Sequence, residues 1–182
     1  MNSQPLTISF SYRPDNKAAL IWEKKISQWL KKKYPEVKIL AKNGKVILVL
    51  GGDGTILEAA RKHQNHGSKI LGLNLGHVGF LASVREEKNF LRGLDRFLKG
   101  KYQIAQRMML QANVVRGNKV VFTTNALNDV SVQNLLGMVE LELRIDNAPM
   151  QNIQGTGALI STATGSTAFN LSAHGPIVMP DI

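Results

Sequence analysis

Val46-Ile47-Leu48-Val49-Leu50-Gly51-Gly52-Asp53-Gly54-Thr55 decides how this chain is built: five apolar residues, a glycine turn, then the helix-like stretch Ile56 to His66. An unbroken apolar run of this kind is the pattern of a buried strand. Around it, Thr7 to Tyr12 reads as a first strand, Asp15 to Lys33 as a helix and Pro35 to Leu40 as a short strand. Thr55 to His66 continues as a helix and Lys69 to Leu73 as another strand. Arg85 to Leu98 is helix-like, with Phe90, Leu91, Leu94, Phe97 and Leu98 on one face. Strands alternating with helices predict a mostly parallel sheet with right-handed crossovers, a Rossmann-like α/β domain.

After Gly100 the texture changes. Ile104 to Arg116, Lys119 to Thr124, Leu127 to Gln133 and Met138 to Ile145 read as extended, with turn signals at Gly117-Asn118 and Asp146-Asn147. The expectation is an α/β domain over residues 1–106 and a second, mostly antiparallel β domain over residues 107–182. So short a β region has few strands with which to cover both faces, and it reads as incomplete, either truncated or completed by a partner.

The 182 residues carry a formal charge of +10, placed unevenly: +11 falls on residues 1–106 and −1 on the rest. Such a surplus attracts polyanions, but Lys24, Lys25, Lys31, Lys32 and Lys33 sit around Trp22, Ile26, Trp29 and Leu30 in an amphipathic pattern. A solvated helix face explains them, and no aromatic-basic interleaving supports nucleic-acid binding. Cysteine is absent, which excludes disulfides, thiolate catalysis and Cys-based zinc sites. Met1 to Pro5 lacks the basic start of a signal peptide, and no apolar run approaches a membrane span of roughly 18 residues. The expectation is a cytoplasmic protein without a membrane partner.

Strand, glycine turn and helix in that order let backbone N–H groups and the positive end of a helix dipole face a phosphate, with Gly51, Gly52, Gly54 and Thr55 as the phosphate loop. Asp53 is unexpected there, since its charge repels the anion the loop attracts. It must hold a cation, take a proton or accept from a sugar hydroxyl, and each role belongs to phosphoryl transfer. The string GGDGT arises by chance in a chain of this length at a rate on the order of one in several thousand. It is neither a Walker A loop nor a GxGxxG fingerprint.

Three further stretches carry chemistry. Leu71-Gly72-Leu73-Asn74-Leu75-Gly76-His77-Val78-Gly79-Phe80-Leu81 is a strand with a glycine loop after it, which an open α/β sheet gathers at the same edge as the GGDGT loop. Phe80 in it can stack on a base or pack in the core. Asn125-Ala126-Leu127-Asn128-Asp129-Val130 sets an amide beside a carboxylate, able to hold the vicinal hydroxyls of a ribose or merely to mark a turn. Gly155-Thr156-Gly157 leads through Ala158-Leu159-Ile160 into Ser161-Thr162-Ala163-Thr164-Gly165-Ser166-Thr167-Ala168-Phe169 and a short helix, Thr167 to Ala173. Its hydroxyls exceed what helix capping needs and can bind phosphate, ribose or adenine edges. His63 and His66, with Glu58 a turn earlier, fit an exposed polar helix face better than a metal site.

Together GGDGT, LGLNLGHVGFL, NALND and STATGSTAFNLSAHGP, in this order, resemble the NAD kinase family from about Val46 to Pro180. GGDGT alone is also similar to the diacylglycerol and sphingosine lipid kinases; the other elements select the NAD kinases. The resemblance implies transfer of the γ-phosphoryl of ATP, or of polyphosphate, to the 2′-hydroxyl of the adenosine ribose of NAD, with Mg²⁺ or another divalent cation. It implies Asp53 as the catalytic carboxylate, a proton acceptor or Mg²⁺ partner, with Gly54 beside it; no other metal ligand is assignable. NAD-binding positions follow at Phe80, Asn128, Asp129, Thr156, Thr164, Thr167, Ala168, Phe169, Asn170, Leu171 and Ser172. Family members assemble as dimers or tetramers, so a homo-oligomer is expected.

Four residues depart from the family pattern: Thr156 where an Asp is common, Ala163 for Pro, Phe169 for Tyr and His174 for Gly. A catalytically inactive NAD-binding protein is therefore an alternative, beside a lipid kinase. Donor preference, use of NADH and allosteric control leave no mark in the sequence.

Overall fold

The computed structural model describes residues 5–76 and 79–180, which fall into two compact units, residues 1–105 and 106–182. In the first, β1 (Thr7–Ser11), β2 (Lys38–Ile39), β3 (Val46–Leu50) and β4 (Lys69–Leu73) form one parallel sheet in the order β2-β1-β3-β4. All five residues of β3 are buried. Because side chains alternate across a strand, Val46, Leu48 and Leu50 pack on one face with Ile8 and Leu73, while Ile47 and Val49 pack on the other.

Helices α1 (Lys17–Lys33) and α3 (Phe90–Leu98) cover the first face through Ala19, Trp22, Ile26, Leu30, Phe90, Leu94 and Phe97. The spacing of the α1 residues lays them on one stripe of a 3.6-residue helix. Asn16 caps α1 by accepting from the Ala19 N–H at 3.1 Å, and Lys31, Lys32 and Lys33 complement the dipole at the other end. Helix α2 (Asp53–His63) covers the opposite face with Ile56 and Ala59.

Two contacts lock α1 to α3. Trp22 meets Phe90 edge-on, with ring centroids 4.9 Å apart, and its indole N–H donates to Glu87 Oε2 at 2.7 Å. Asp95 accepts from Lys33 at 2.6 Å, Lys99 at 2.7 Å and the Tyr34 hydroxyl at 2.7 Å. These donors, Lys33 foremost, hold its carboxyl well below the usual carboxylate range.

The second unit is antiparallel: β5 (Leu110–Arg116) with β6 (Lys119–Ala126), β7 (Asp129–Gln133) with β10 (Gly157–Ser161), and β8 (Val139–Leu143) with β9 (Gln151–Gly155). Gly117-Asn118 and Asp146-Asn147 fall in the β5–β6 and β8–β9 connections. The three pairs remain separate two-stranded sheets among the described residues. Leu127 is buried, yet Val121, Phe122, Val132 and Leu136 are exposed, the last at 99%.

Removing the ring that joins α3 to α1 tests this packing. Phe90→Ala is expected to lower unfolding stability by about 3–5 kcal/mol in a urea titration of the whole chain.

Candidate functional site

Asp53 is the first residue of α2, with Gly52 at the cap position. Gly52 O takes the first bonds of the helix, from Thr55 N–H at 3.0 Å and Ile56 N–H at 3.2 Å. The N–H groups of Gly52, Asp53 and Gly54 have no partner among the described residues. The loop after β4 then closes on the carboxylate: Asp53 Oδ2 accepts from Phe80 N–H at 2.9 Å and Oδ1 from Leu81 N–H at 3.2 Å. A Cβ at Gly79 would lie 2.9 Å from Asp53 Oδ1, so glycine lets this loop come so near. Over the helix start, a Cβ on Gly52 would meet nothing within 4 Å, and one on Gly54 would meet Arg13 Nη2 at 3.7 Å. Gly51 differs, since the space beside it is taken by the side chain of buried Thr55.

Thus the structure brings Gly51, Gly52, Asp53, Gly54, Thr55 and Phe80 together at one end of the sheet. Phe80 is 75% exposed, which leaves its ring free to stack and sets aside the core-packing reading. Two residues here had not been singled out. Buried Asn74 folds the β4 loop, accepting from Gly76 N–H at 3.1 Å and donating to Gly76 O at 3.0 Å. An asparagine just after a strand is a turn signal that could have found it. Arg13 has no such signal. His77 and Val78 of this loop lie outside the described residues.

In the second unit, the NALND stretch and the hydroxyl-rich turn interlock. Asp129 pairs with Ser161 across β7 and β10. Asn128 O accepts from Thr162 N–H at 2.8 Å, and the Thr162 hydroxyl donates to Leu127 O at 2.6 Å and accepts from Gly165 N–H at 3.0 Å. Gly165 lies directly on the Asn128 backbone, where any Cβ would collide. Ser166 is also turned inward: its hydroxyl lies 2.7 Å from Ala163 O and accepts from Val178 N–H at 3.0 Å.

Hydroxyls that the sequence offers to a ligand are therefore partly structural. Thr164 accepts from Arg107 at 3.3 Å, and Thr167 is exposed. The expected helix Thr167 to Ala173 appears as a 3-10 turn, Thr164–Thr167, followed by α4 (Phe169–Ser172). Ala168 is half-buried, while Phe169, Leu171 and Ser172 are exposed; Asn170 braces the turn by donating to Ser166 O and Pro176 O. A cavity of about 290 Å³ opens among Met108, Thr162, Ser166, Asn170, Pro176 and Val178.

The Asn128 amide and Asp129 carboxylate have no side-chain hydrogen bond among the described residues, and burial pushes the Asp129 carboxyl up. Thr156 is exposed in the turn between β9 and β10. Gly157 pairs with Gln133 and Ser161 with Asp129, and Asn134 N–H donates to Thr156 O, so Thr156 lies at the far end of the strand pair from the Asn128 cluster, roughly 20 Å away.

Among the described residues no three His, Cys, Asp or Glu groups come together to hold a metal. His63 packs edge-on to His66 at 6.0 Å, and its buried Nδ1 has no partner among the described residues. Its imidazole is pushed down by burial, which favours the neutral form. Asp53 retains lone pairs beyond its two amide bonds, so its carboxylate could still give one contact to a divalent cation.

A parallel sheet whose strand β3 runs through a glycine turn into a helix, followed by antiparallel strand pairs, defines a chain of an α/β unit and a β unit. The family models for the ATP-NAD kinase N-terminal and C-terminal domains match residues 16–102 and 127–182. The chain belongs to the NAD kinase family. It is 44% identical over 149 residues to the NAD kinase of Moorella thermoacetica, covering 81% of this chain and 47% of that one. With the NAD kinase of Symbiobacterium thermophilum it shares 40% over 139 residues, covering 75% and 49%. The chain thus spans about half the length of these relatives.

A solved NAD kinase from Archaeoglobus fulgidus in complex with ATP superposes with a TM-score of 0.70 at 25% identity, covering 97% of this chain and 69% of that one. Yeast NADH kinase complexed with NADH gives 0.88 at 20% identity, covering 100% and 61%, a likeness of fold.

Two substitutions probe the second unit. Ionising Asp129 against desolvation costs stability above its raised folded pKa, and that cost is absent below the ordinary carboxylate value. Asp129→Asn is therefore expected to raise the melting temperature at pH 7 and to lose this advantage near pH ~4. His174 holds a left-handed φ of 62° where the family pattern has glycine. His174→Gly is expected to raise stability by about 1 kcal/mol in chemical denaturation.

Proposed function

We propose that the chain supplies the catalytic machinery of an NAD kinase, moving the γ-phosphoryl of ATP, or a phosphoryl of polyphosphate, to the 2′-hydroxyl of the adenosine ribose of NAD. The observation that carries this is the Asp53 carboxylate, fixed by the Phe80 and Leu81 N–H groups beside the unpaired N–H groups of Gly52 and Gly54. Asp53 accepts the proton of the 2′-hydroxyl, whose oxygen bonds to the γ-phosphorus. The bond from that phosphorus to the bridging oxygen breaks, and ADP leaves. A divalent cation, with Asp53 as its one carboxylate contact, would offset charge on the phosphates.

In the second unit, the unpaired Asn128 amide and Asp129 carboxylate supply a donor and acceptors suited to ribose hydroxyls. The exposed ring of Phe169, with Thr167, Ala168, Asn170, Leu171 and Ser172, forms the adenine-side surface, near Thr164. Thr156 stands where the family pattern has an Asp that contacts the nicotinamide half of NAD from a neighbouring subunit. The family membership does not favour a lipid kinase.

We further place the protein in the cytoplasm as a homo-oligomer of two or four subunits. No helix among the described residues is long and apolar enough to cross a membrane. Assembly, or further chain, would cover the exposed Phe122, Val132 and Leu136.

Asp53→Asn keeps an acceptor for one loop amide but loses the base. Steady-state assays with NAD, ATP and Mg²⁺ are expected to show kcat reduced roughly 10²–10⁴-fold, with NAD affinity within a few fold by calorimetry. Wild-type kcat in this variant would remove Asp53 from the proton transfer.

A further inference from the structure

We propose that Arg13 grips the phosphate chain of the phosphoryl donor above the GGDGT turn, an assignment that rests on the kinase reading of this site and extends it to the donor. Arg13 follows β1 by two residues, and Gly54 follows β3 by four. β1 and β3 are parallel neighbours in register from Ile8 opposite Val46 to Ser11 opposite Val49. Their carboxyl ends therefore lie side by side, and both loops emerge at the same edge, where open α/β sheets bind their ligands.

The segment carrying Arg13 is anchored. Arg13 O accepts from Asn16 N–H at 3.0 Å, just before the α1 cap, and the preceding Tyr12 hydroxyl donates to Glu23 Oε2 at 2.5 Å. The guanidinium is not consumed by this anchoring. Among the described residues it makes no side-chain hydrogen bond and no ion pair, although Asp53 adjoins Gly54, the residue it overlies. The Asp53 carboxylate turns instead to the amides of Phe80 and Leu81. Cation and carboxylate thus flank the turn without neutralising each other.

Among the described residues the space between them is open and lined by unspent donors. A Cβ on Gly52 meets nothing, one on Gly54 meets only Arg13, and the N–H groups of Gly52, Asp53 and Gly54 are unpaired among the described residues. A guanidinium presents planar paired N–H donors that match two phosphate oxygens. Placed there, Arg13 offsets the charge of a tri- or polyphosphate that would otherwise be repelled by Asp53. The turn has no lysine of the Walker type, and among the described residues Arg13 brings a side-chain cation over it. NAD, with one pyrophosphate and the acceptor ribose, does not depend on this grip.

Calorimetry on the whole chain with Mg²⁺ separates the roles, using ATP, inorganic tripolyphosphate and NAD as probes of wild type, Arg13→Lys and Arg13→Ala. Arg13→Ala should weaken ATP and tripolyphosphate by about tenfold or more, with NAD within about twofold and the melting temperature unchanged. Arg13→Lys should fall between, since an ammonium keeps the charge and loses the paired geometry. In turnover, KM for ATP should rise while KM for NAD stays. Unchanged ATP and tripolyphosphate affinities in Arg13→Ala would overturn the assignment. So would equal losses for all three probes, which mark a structural role, or a wild-type chain that binds neither phosphate probe. A wild-type chain that binds ATP through Arg13 and leaves NAD unphosphorylated would instead overturn the kinase reading alone.

Discussion

The first unit depends on β3 having no wet side. With Val46 to Leu50 buried on both faces, helices must cover the sheet above and below, and short parallel neighbours must pair along both edges. The chain leaves such a strand only at its end. There the glycines of residues 51–54 turn it without bulk, and α2 begins at once. The apolar run thereby fixes where the N–H groups of the helix start point, and the position of Asp53 follows from packing together with the glycines that let the chain turn there.

Charge at this edge is arranged so that opposites are kept apart. A carboxylate at a helix N-terminus gains from the dipole, and here it also spends two lone pairs on amides of a neighbouring loop. That leaves Arg13 uncommitted among the described residues, in contrast with Asp95 in the same unit, which is saturated by two lysines and a tyrosine. Asp95 is structural for this reason, whereas the Asp53 edge keeps unsatisfied donors. In the second unit the division runs along one turn: Thr162 and Ser166 hold it together, and the Asn128 and Asp129 side chains have no hydrogen-bond partner among the described residues.

Much of this was legible in the residues. The buried strand, the glycine turn, the alternation of strands with helices and the two hairpin turns are written in local periodicity. Element ends are less so. The helix after GGDGT starts at Asp53 rather than Thr55, because Gly52 O accepts the first bonds. The stretch from Arg85 is helical only from Phe90, since Val84 first bridges to Leu73 and a 3-10 turn intervenes. The hydroxyl-rich turn reads as ligand-facing, yet three of its hydroxyls, those of Ser161, Thr162 and Ser166, serve the backbone, which depends on partners 12 to 35 residues away. Arg13 could not be found from the sequence, because its place beside Gly54 comes from the pairing of β1 with β3.

The central claim is that Asp53 and its loop direct a phosphoryl group to one ribose hydroxyl of NAD. The most direct measurement is phosphorus NMR with mass spectrometry of the product formed by the whole chain from NAD, ATP and Mg²⁺. The account predicts a new monoester on the adenosine 2′-oxygen, formed in step with ADP and absent with Asp53→Asn. Binding of NAD and ATP without this ester, or ester formation undiminished in Asp53→Asn, would contradict it.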